Sequence, residues 1–363
     1  MDFTPTEAQL DLEKLTRSIV AKLVTNERLR ELDTASERFD EPLWQALIDA
    51  GVLSAAVPES IGGGGFGMLE QATVLRELGR GPAAVPFLSS IVQAATALTE
   101  FGTAAQQDWA RKAASGDAIL SVALTEENND DPRRPVTTAQ PTDSGWTIDG
   151  AKFAVPFAGR ADRILVPAST PDGVAVFLVD PNDDGVRITP QRVVDFSAED
   201  LVEFTSVSAD LVGDVEVVDW LETRGALGLA ATQLGVLEKA LESVADYARE
   251  RVQFDRPIGS FQAVAQRLAD AYIDVKGVRL TVTQAAWQLA AGQPADDAVR
   301  TAKFWAADAG HRVAHTVVHV HGGVGLDTDH PVHRYFLAAK HNEFALGSAT
   351  DHLRRLGASL ART

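Results

Sequence analysis

Two short segments bring together residue types that could grip a charged, aromatic ligand. The first is RVQFDRPIGSFQAVAQRLAD (Arg251–Asp270). Arg251 closes a long apolar-periodic stretch, and a tight Pro–Ile–Gly turn then sets Phe261 and Gln262 at the start of the next helix. That arrangement offers a cation, an aromatic wall, an amide donor and the free backbone N–H groups of a helix N-terminus, a set that suits a pyrophosphate carrying an aromatic ring. The second is HVHGGVGLDTDHPVHRY (His319–Tyr335), in which Gly322 and Gly323, lacking side chains, let backbone approach a ligand closely. On the residues alone, both segments also read as the corners of a helical bundle.

Other constellations carry less. His311, His315 and His319 step by four along one helix face, a spacing that raises a metal site, but no carboxylate completes the set and HExxH is absent, so the expectation is no metal. Gly62, Gly64 and Gly67 in IGGGGFG have dinucleotide-fingerprint spacing. No lysine follows and no βαβ unit surrounds them, which leaves a surface loop or a loop at a substrate entrance. There is no GxSxG elbow for a serine hydrolase. With no cysteine in 363 residues, disulfides, thiolate metal sites, cysteine nucleophiles and iron–sulfur clusters are excluded. Lys and Arg number 33 against 51 Asp and Glu, a net charge of −18, which disfavours nucleic acid and anionic membrane as broad partners. The start, MDFTPTEAQLDLEKL, lacks a signal-peptide pattern, and no apolar run reaches the roughly 20 residues of a membrane helix; the expected location is cytoplasmic.

The elements that must position these residues fall into three stretches: 1–118, 119–216 and 217–363. The first is helical. Thr4, Pro5 and Glu7 form a capping-box pattern, with Leu12, Leu15, Ile19 and Leu23 as an apolar stripe. Further helices are expected at about Glu41–Ala50, Met68–Gly79, Ser89–Phe101 and Ala104–Ala114. The second stretch reads as an antiparallel β domain, with strand-like runs at Ala118–Leu124, Gly145–Ile148, Ala161–Pro167, Val174–Val179 and Val202–Val207 and turns such as Asp149–Gly150. The third predicts a four-helix bundle. Its helices begin near Val217, follow the Pro257–Gly259 break until Gly292 and Pro294, run from Asp296 to Val320, and run from Pro331 to Leu360. The fold class is α+β, mainly α: an N-terminal helical domain, a middle β domain and a C-terminal bundle.

Taken together, the signature segments, the N-terminal PESIGGGGFG, and the middle LTEENNDDP (Leu124–Pro132) and DGAKFAVPFAGRADRILV (Asp149–Val166) resemble the acyl-CoA dehydrogenase family over nearly the whole chain. The resemblance implies FAD as cofactor, an acyl-CoA thioester as substrate, an electron-transferring flavoprotein as acceptor, and a tetramer in which each FAD is shared between one subunit's β domain and a neighbour's bundle. It implies a glutamate base that takes the α-proton while the β-hydrogen leaves as hydride. Its cofactor-binding residues map onto Arg251, Phe254, Phe261, Gln262, Gly322 and Gly323, with His319 where glutamine is common, and onto Thr125 in the β domain.

The departures from the family pattern set the functional expectation. Leu346 stands before Gly347 where many members carry the base, and the alternative base position falls near Gly225. Catalytic residues are therefore expected to be none, with Glu343 and Glu222 as candidates for a displaced base. After Thr125 and Glu126 the turn reads Glu127–Asn128–Asn129–Asp130–Asp131, placing Asp130 and Asp131 where a pyrophosphate is usually cradled. Ala154, Val155 and Pro156 replace the family's tryptophan–x–threonine at the flavin. The chain thus resembles the degenerate subunit of heteromeric α2β2 acyl-CoA dehydrogenases, which lends FAD contacts to a catalytic partner subunit; known cases act on steroid side chains. The alternatives are a self-sufficient homo-oligomer with a displaced base, and a flavin-free scaffold on the same fold.

Overall fold

The computed structural model describes residues 3–35, 37–129, 131–143 and 145–362. It contains α1 (Glu7–Leu23), α2 (Asn26–Thr34), α3 (Glu41–Asp49), α4 (Val52–Ala55), α5 (Met68–Gly79), a π-helix (Phe87–Ala95) running into α6 (Thr96–Phe101), and α7 (Ala104–Ser115). Seven strands follow: β1 (Leu120–Val122), β2 (Thr138–Thr142), β3 (Gly145–Pro156), β4 (Arg163–Thr170), β5 (Gly173–Val179), β6 (Val186–Gln191) and β7 (Glu199–Gly213). Then come α8 (Val215–Glu250), the short strands β8 (Val252–Gln253) and β9 (Arg256–Pro257), α9 (Gln262–Ala290), α10 (Asp296–His321), α11 (Val332–Phe344) and α12 (Ala349–Leu360). The mainly helical α–β–α order is the one expected. No described helix is long and apolar enough to cross a membrane.

The chain divides into two compact units. One holds Met1–Glu31, Ala72–Ala83 and Ala226–Thr363; the other holds Leu32–Gln71 and Ala84–Gly225.

In the first unit, α1 starts two residues later than its sequence suggests. Thr6 is the cap and Gln9 closes the box, with Gln9 N–H donating to Thr6 Oγ1 at 3.2 Å and Thr6 N–H to Gln9 Oε1 at 3.0 Å. The S/T-x-x-E/Q pattern occurs twice in overlapping frames, and the later frame turns Leu12, Thr16 and Val20 inward and leaves Leu15 exposed. Where α5 and α8 meet, glycines permit backbone contact: a Cβ on Gly235 would lie 1.8 Å from Arg76 O, and one on Gly79 would lie 2.1 Å from Thr232 O. Around this crossing Glu77 and Glu238 are buried among Arg17, Arg76, Arg80 and Arg279. Burial works to raise the Glu77 pKa, but the hydrogen bond from Arg17 and the charge of Arg76 prevail and lower it. The last helical stretch, expected as one helix from Pro331 to Leu360, is two. The chain breaks over 345–348, with Leu346 at φ 54° and Gly347 at φ 98°, both left-handed.

In the second unit the sheet is mixed rather than antiparallel: β1 and β2 each pair with β4 in parallel, while β2–β3, β3–β7, β4–β5, β5–β7 and β6–β7 are antiparallel. The pairings β4–β2–β3–β7–β5–β4 close into a ring around a core that includes Ile148, Ile164, Phe177, Val202 and Phe204. Asp149–Gly150 is no turn. β3 continues through it with a bulge against β7 between Ile148 and Gly150: Asp149 stays paired with Thr138 of β2, and Gly150 takes φ 143° against Thr137. The strands β2 and β6, short and polar, carry little hydropathic signal. The helix expected at Ser89–Phe101 begins at Phe87 as nine π-helical residues, all buried except the half-buried Leu88.

Candidate functional site

The arginine signature folds as a hairpin. Val252 pairs with Pro257 and Gln253 with Arg256, so the reversal occurs at Phe254–Asp255, both at positive φ (54° and 63°), as a two-residue primed turn requires. The Pro–Ile–Gly segment expected to make that reversal instead supplies the end of β9 and one 3-10 turn, Ile258–Ser260. Ile258 N–H bonds Arg251 O at 2.8 Å, which ties the end of α8 to the start of α9. Phe261 occupies the N-cap position and Gln262 the first turn of α9, as expected. Phe254 is 87% exposed, touching Phe261 edge-on at 6.2 Å, and the Arg256 guanidinium lies 4.2 Å over the Phe261 ring. Arg251 and Gln262 are exposed too.

The glycine pair lies at the end of α10, in the same unit. His319 is exposed in its last turn. The buried His321 stacks on Tyr247 at 4.4 Å and is hydrogen-bonded through Nδ1 to Val317 O. Gly322 takes φ 63°, ψ −136°, a backbone open only to glycine. Gly323 has neither a left-handed φ nor any atom within 4 Å of where a Cβ would sit. The glycine that packing demands is Gly325, whose Cβ would lie 2.8 Å from Val318 O.

The corner between α11 and α12 occupies the position where the family resemblance places its base. Leu346 stands there with no proton acceptor. Lys303, on α10 and fully buried, donates to Asn342 O at 2.9 Å, Gly347 O at 3.0 Å and more weakly to Glu343 O at 3.4 Å. His352 holds Leu346 O through Nε2 at 2.9 Å, and Ser348 caps α12 with Asp351. Burial pushes Lys303 down to about 7 against the pull of Glu343 and Asp351; burial and the Lys303 charge push His352 down to about 4. Neither residue stood out in the sequence, because their role depends on a corner that spacing does not reveal. Glu343, one turn earlier, is bound by Lys340 Nζ at 2.6 Å and lies 3.3 Å from His311 Nδ1. The His311–His315 pair, with rings 4.5 Å apart, faces this ion pair. Among the described residues, no group of three or more His, Cys, Asp or Glu side chains is placed to hold a metal.

In the second unit, Thr125 bridges to Phe153, whose N–H donates to Thr125 O at 2.9 Å. Glu126 is buried against Lys152, Nζ to Oε1 2.8 Å, and also accepts from the backbone N–H of Val136 (2.6 Å) and Thr137 (2.9 Å) and from Asn129 Nδ2 (3.0 Å). These bonds hold its carboxyl at about 2 although burial alone would raise it. Asp131 accepts the backbone N–H of Arg133 at 3.1 Å, so its carboxylate is spent on its own loop; Asp130 lies outside the described residues. At the Lys152/Val155 bulge Ala154 takes φ 51° and gives its N–H to Gln191 Oε1 at 2.8 Å. No aromatic wall or hydroxyl stands at Ala154–Pro156. Glu222 lies 3.9 Å from Arg133 Nε, which is 2.6 Å from Asp219.

A helical–β–helical chain with these signature segments defines the acyl-CoA dehydrogenase class. Family models confirm it. The acyl-CoA dehydrogenase N-terminal domain matches residues 6–117 and the C-terminal domain residues 216–361. The chain belongs to the acyl-CoA dehydrogenase family. It is 54% identical to acyl-CoA dehydrogenase FadE27 of Mycobacterium tuberculosis over the full length of both. Among solved structures it matches a chain of the ChsE4–ChsE5 complex from Mycobacterium tuberculosis at TM-score 0.96 and 55% identity, covering all of both chains. It matches a Tcur3481–Tcur3483 steroid acyl-CoA dehydrogenase variant at TM-score 0.94 and 39% identity, over 98% of each.

Proposed function

We propose that this chain is the FAD-sharing, base-less subunit of a heteromeric acyl-CoA dehydrogenase acting on CoA thioesters, with a steroid side chain as the substrate class. Arg251, Phe254, Phe261, Gln262, His319, Gly322 and Gly323 would hold part of an FAD, while a partner subunit supplies the base and the β-domain half of the site. When bound, FAD accepts the hydride from the substrate's β-carbon. This chain's share is positional. Arg251 balances phosphate charge, Phe254 and Phe261 wall off water from a ring, Gln262 donates a hydrogen bond, and the two glycines admit close backbone approach. The observation that carries the reading is Gly323, a glycine that neither its own backbone nor its own packing requires, taken with an 87% exposed Phe254 in the arginine signature.

The residues of the β unit fit an FAD poorly. Of those expected there, Thr125 remains, but its neighbours Glu126, Asp131 and the Ala154 N–H are engaged within the chain, and no step is assigned to that half. The commitment of Glu343 to Lys340, and of Arg133 to Asp219 beside Glu222, speaks against either glutamate as a displaced base. The relatives' assembly in complexes of two different chains, the α2β2 stoichiometry, an electron-transferring flavoprotein as acceptor, a cytoplasmic location and the division at 1–118, 119–216 and 217–363 belong to the same reading.

The test is reconstitution. Purified alone, the chain is expected to carry no stoichiometric flavin and to oxidise no acyl-CoA. Combined with a subunit that has the base, it is expected to restore both, and Gly323→Val or Arg251→Ala in the complex is expected to lower flavin occupancy. A lone chain that is yellow and active overturns the reading.

A further inference from the structure

Two arginines in the β-containing unit, Arg192 and Arg224, pair with no carboxylate among the described residues; Arg192 is exposed, whereas Arg224 is half-buried. Arg224, near the start of α8, lies flat on Trp220, Cζ 3.1 Å from the ring centroid. Trp220 is itself fixed. Its Nε1 donates to Thr96 Oγ1 at 3.1 Å, Thr96 donates on to Val92 O of the π-helix at 2.6 Å, and Phe101 meets the indole edge-on at 5.3 Å. The guanidinium is half-buried, and it makes no hydrogen bond or ion pair with any described residue. The exposed Glu100 acts on it only at a distance.

The contrast with other arginines of this chain is direct. Arg76 reaches Glu13, Glu77 and Glu238, and Arg80 reaches Glu77, Glu238 and Glu242. Acidic residues outnumber basic ones by 51 to 33, so carboxylates are plentiful, yet none is placed on Arg224. Burial pushes Arg224 down to about 9 against the pull of Glu100, but a guanidinium stays charged in proteins and keeps its five donors. A planar cation braced on an indole, with its donors unspent, has the shape of a fork for a planar anion. Its Trp220 pedestal is joined through Thr96 to a π-helix, a distortion frequent at functional sites.

We propose that Arg224, on its Trp220 pedestal, is a binding residue for the carboxylate of a small-molecule ligand. The pairing is bidentate: two guanidinium N–H groups face two carboxylate oxygens while the indole holds the plane. The inference does not depend on how the flavin is shared, since it uses none of those residues.

The experiment titrates the full chain with glutarate, and with chloride at equal ionic strength, by calorimetry. It compares wild type, Arg224→Lys and Arg224→Gln and follows thermal unfolding of each. Wild type is expected to bind glutarate and not chloride. Arg224→Gln should lose at least tenfold in affinity, and Arg224→Lys should fall between because an ammonium lacks the fork. Arg224→Gln should lower the unfolding midpoint by no more than about 2 degrees, since the stack on Trp220 is the one contact it gives up. Glutarate binding that Arg224→Gln leaves intact, or no binding by wild type, overturns the proposal. So does a midpoint lowered by several degrees, which would mark a structural arginine, or a change confined to subunit association, which would mark a protein carboxylate.

Discussion

At the scale of single residues, the α11–α12 corner shows how buried polar groups hold the backbone around Leu346. Leu346 presents only its carbonyl, which accepts from His352 Nε2–H; burial and the nearby Lys303 charge, working against that bond, favour the neutral His352 ring. Its folded pKa of about 4 lies below the ordinary 6.5, so the unfolded chain binds the proton more tightly. The stability it allows is complete above about pH 6.5 and is lost as pH falls toward 4, a gap equivalent to about 3 kcal/mol. Urea midpoints should therefore fall between pH 7 and pH 4.5, and His352→Gln, which keeps a donor but not a titrating ring, should flatten that fall. Lys303→Met leaves three converging carbonyls without a donor in a fully buried place. It should cost about 2–4 kcal/mol in chemical unfolding at neutral pH. Glu343→Gln, by contrast, should leave acyl-CoA oxidation by a reconstituted complex within about twofold, if its ion pair with Lys340 is its whole role.

Among the elements, the crossing of α5 and α8 depends on two glycines whose missing Cβ atoms are replaced by carbonyls. Gly235→Ala would press a methyl group to 1.8 Å from Arg76 O and force the helices apart, disturbing Glu77 and Glu238 with their arginines. A loss of at least about 3 kcal/mol is expected, read as a drop in the unfolding midpoint. Gly357 in α12 is the matching control. Nothing lies within 4 Å of its Cβ position, so Gly357→Ala should raise stability by about 0.5–1 kcal/mol through helix propensity alone. The β unit has its own pin in Glu126–Lys152, which anchors the excursion between β1 and β2. Glu126→Gln strands a fully buried ammonium and should cost about 3–5 kcal/mol by the same measurement.

For the molecule as a whole, family and α–β–α order were legible from the sequence because they rest on long-period signals: helical stripes through α8, α9 and α10, strand runs between them, and two signature segments. The net charge of −18 bears on partners but did not locate anything. Its use came locally: despite the acidic excess, no carboxylate among the described residues is placed on the half-buried Arg224. The chain alone is expected to lack stoichiometric flavin, and absorbance of the purified chain and of the reconstituted complex checks that at this scale.

The sequence by itself determined which elements form and which residue types are missing: leucine at 346, alanine at 154, a glycine pair at 322–323. Those are properties of identity and local period, which a linear string carries in full. Tertiary structure decided how the polar groups pair. The break at 345–348 with the buried Lys303, the parallel pairings of β4 and the carboxylate of Glu126 depend on partners distant along the chain, whereas the start of α1 and the carboxylates of Asp131 and Glu343 are settled by neighbours two or three residues away. A hydrogen bond or ion pair is fixed by a few ångströms of separation in space, and side-chain spacing in sequence does not encode that distance.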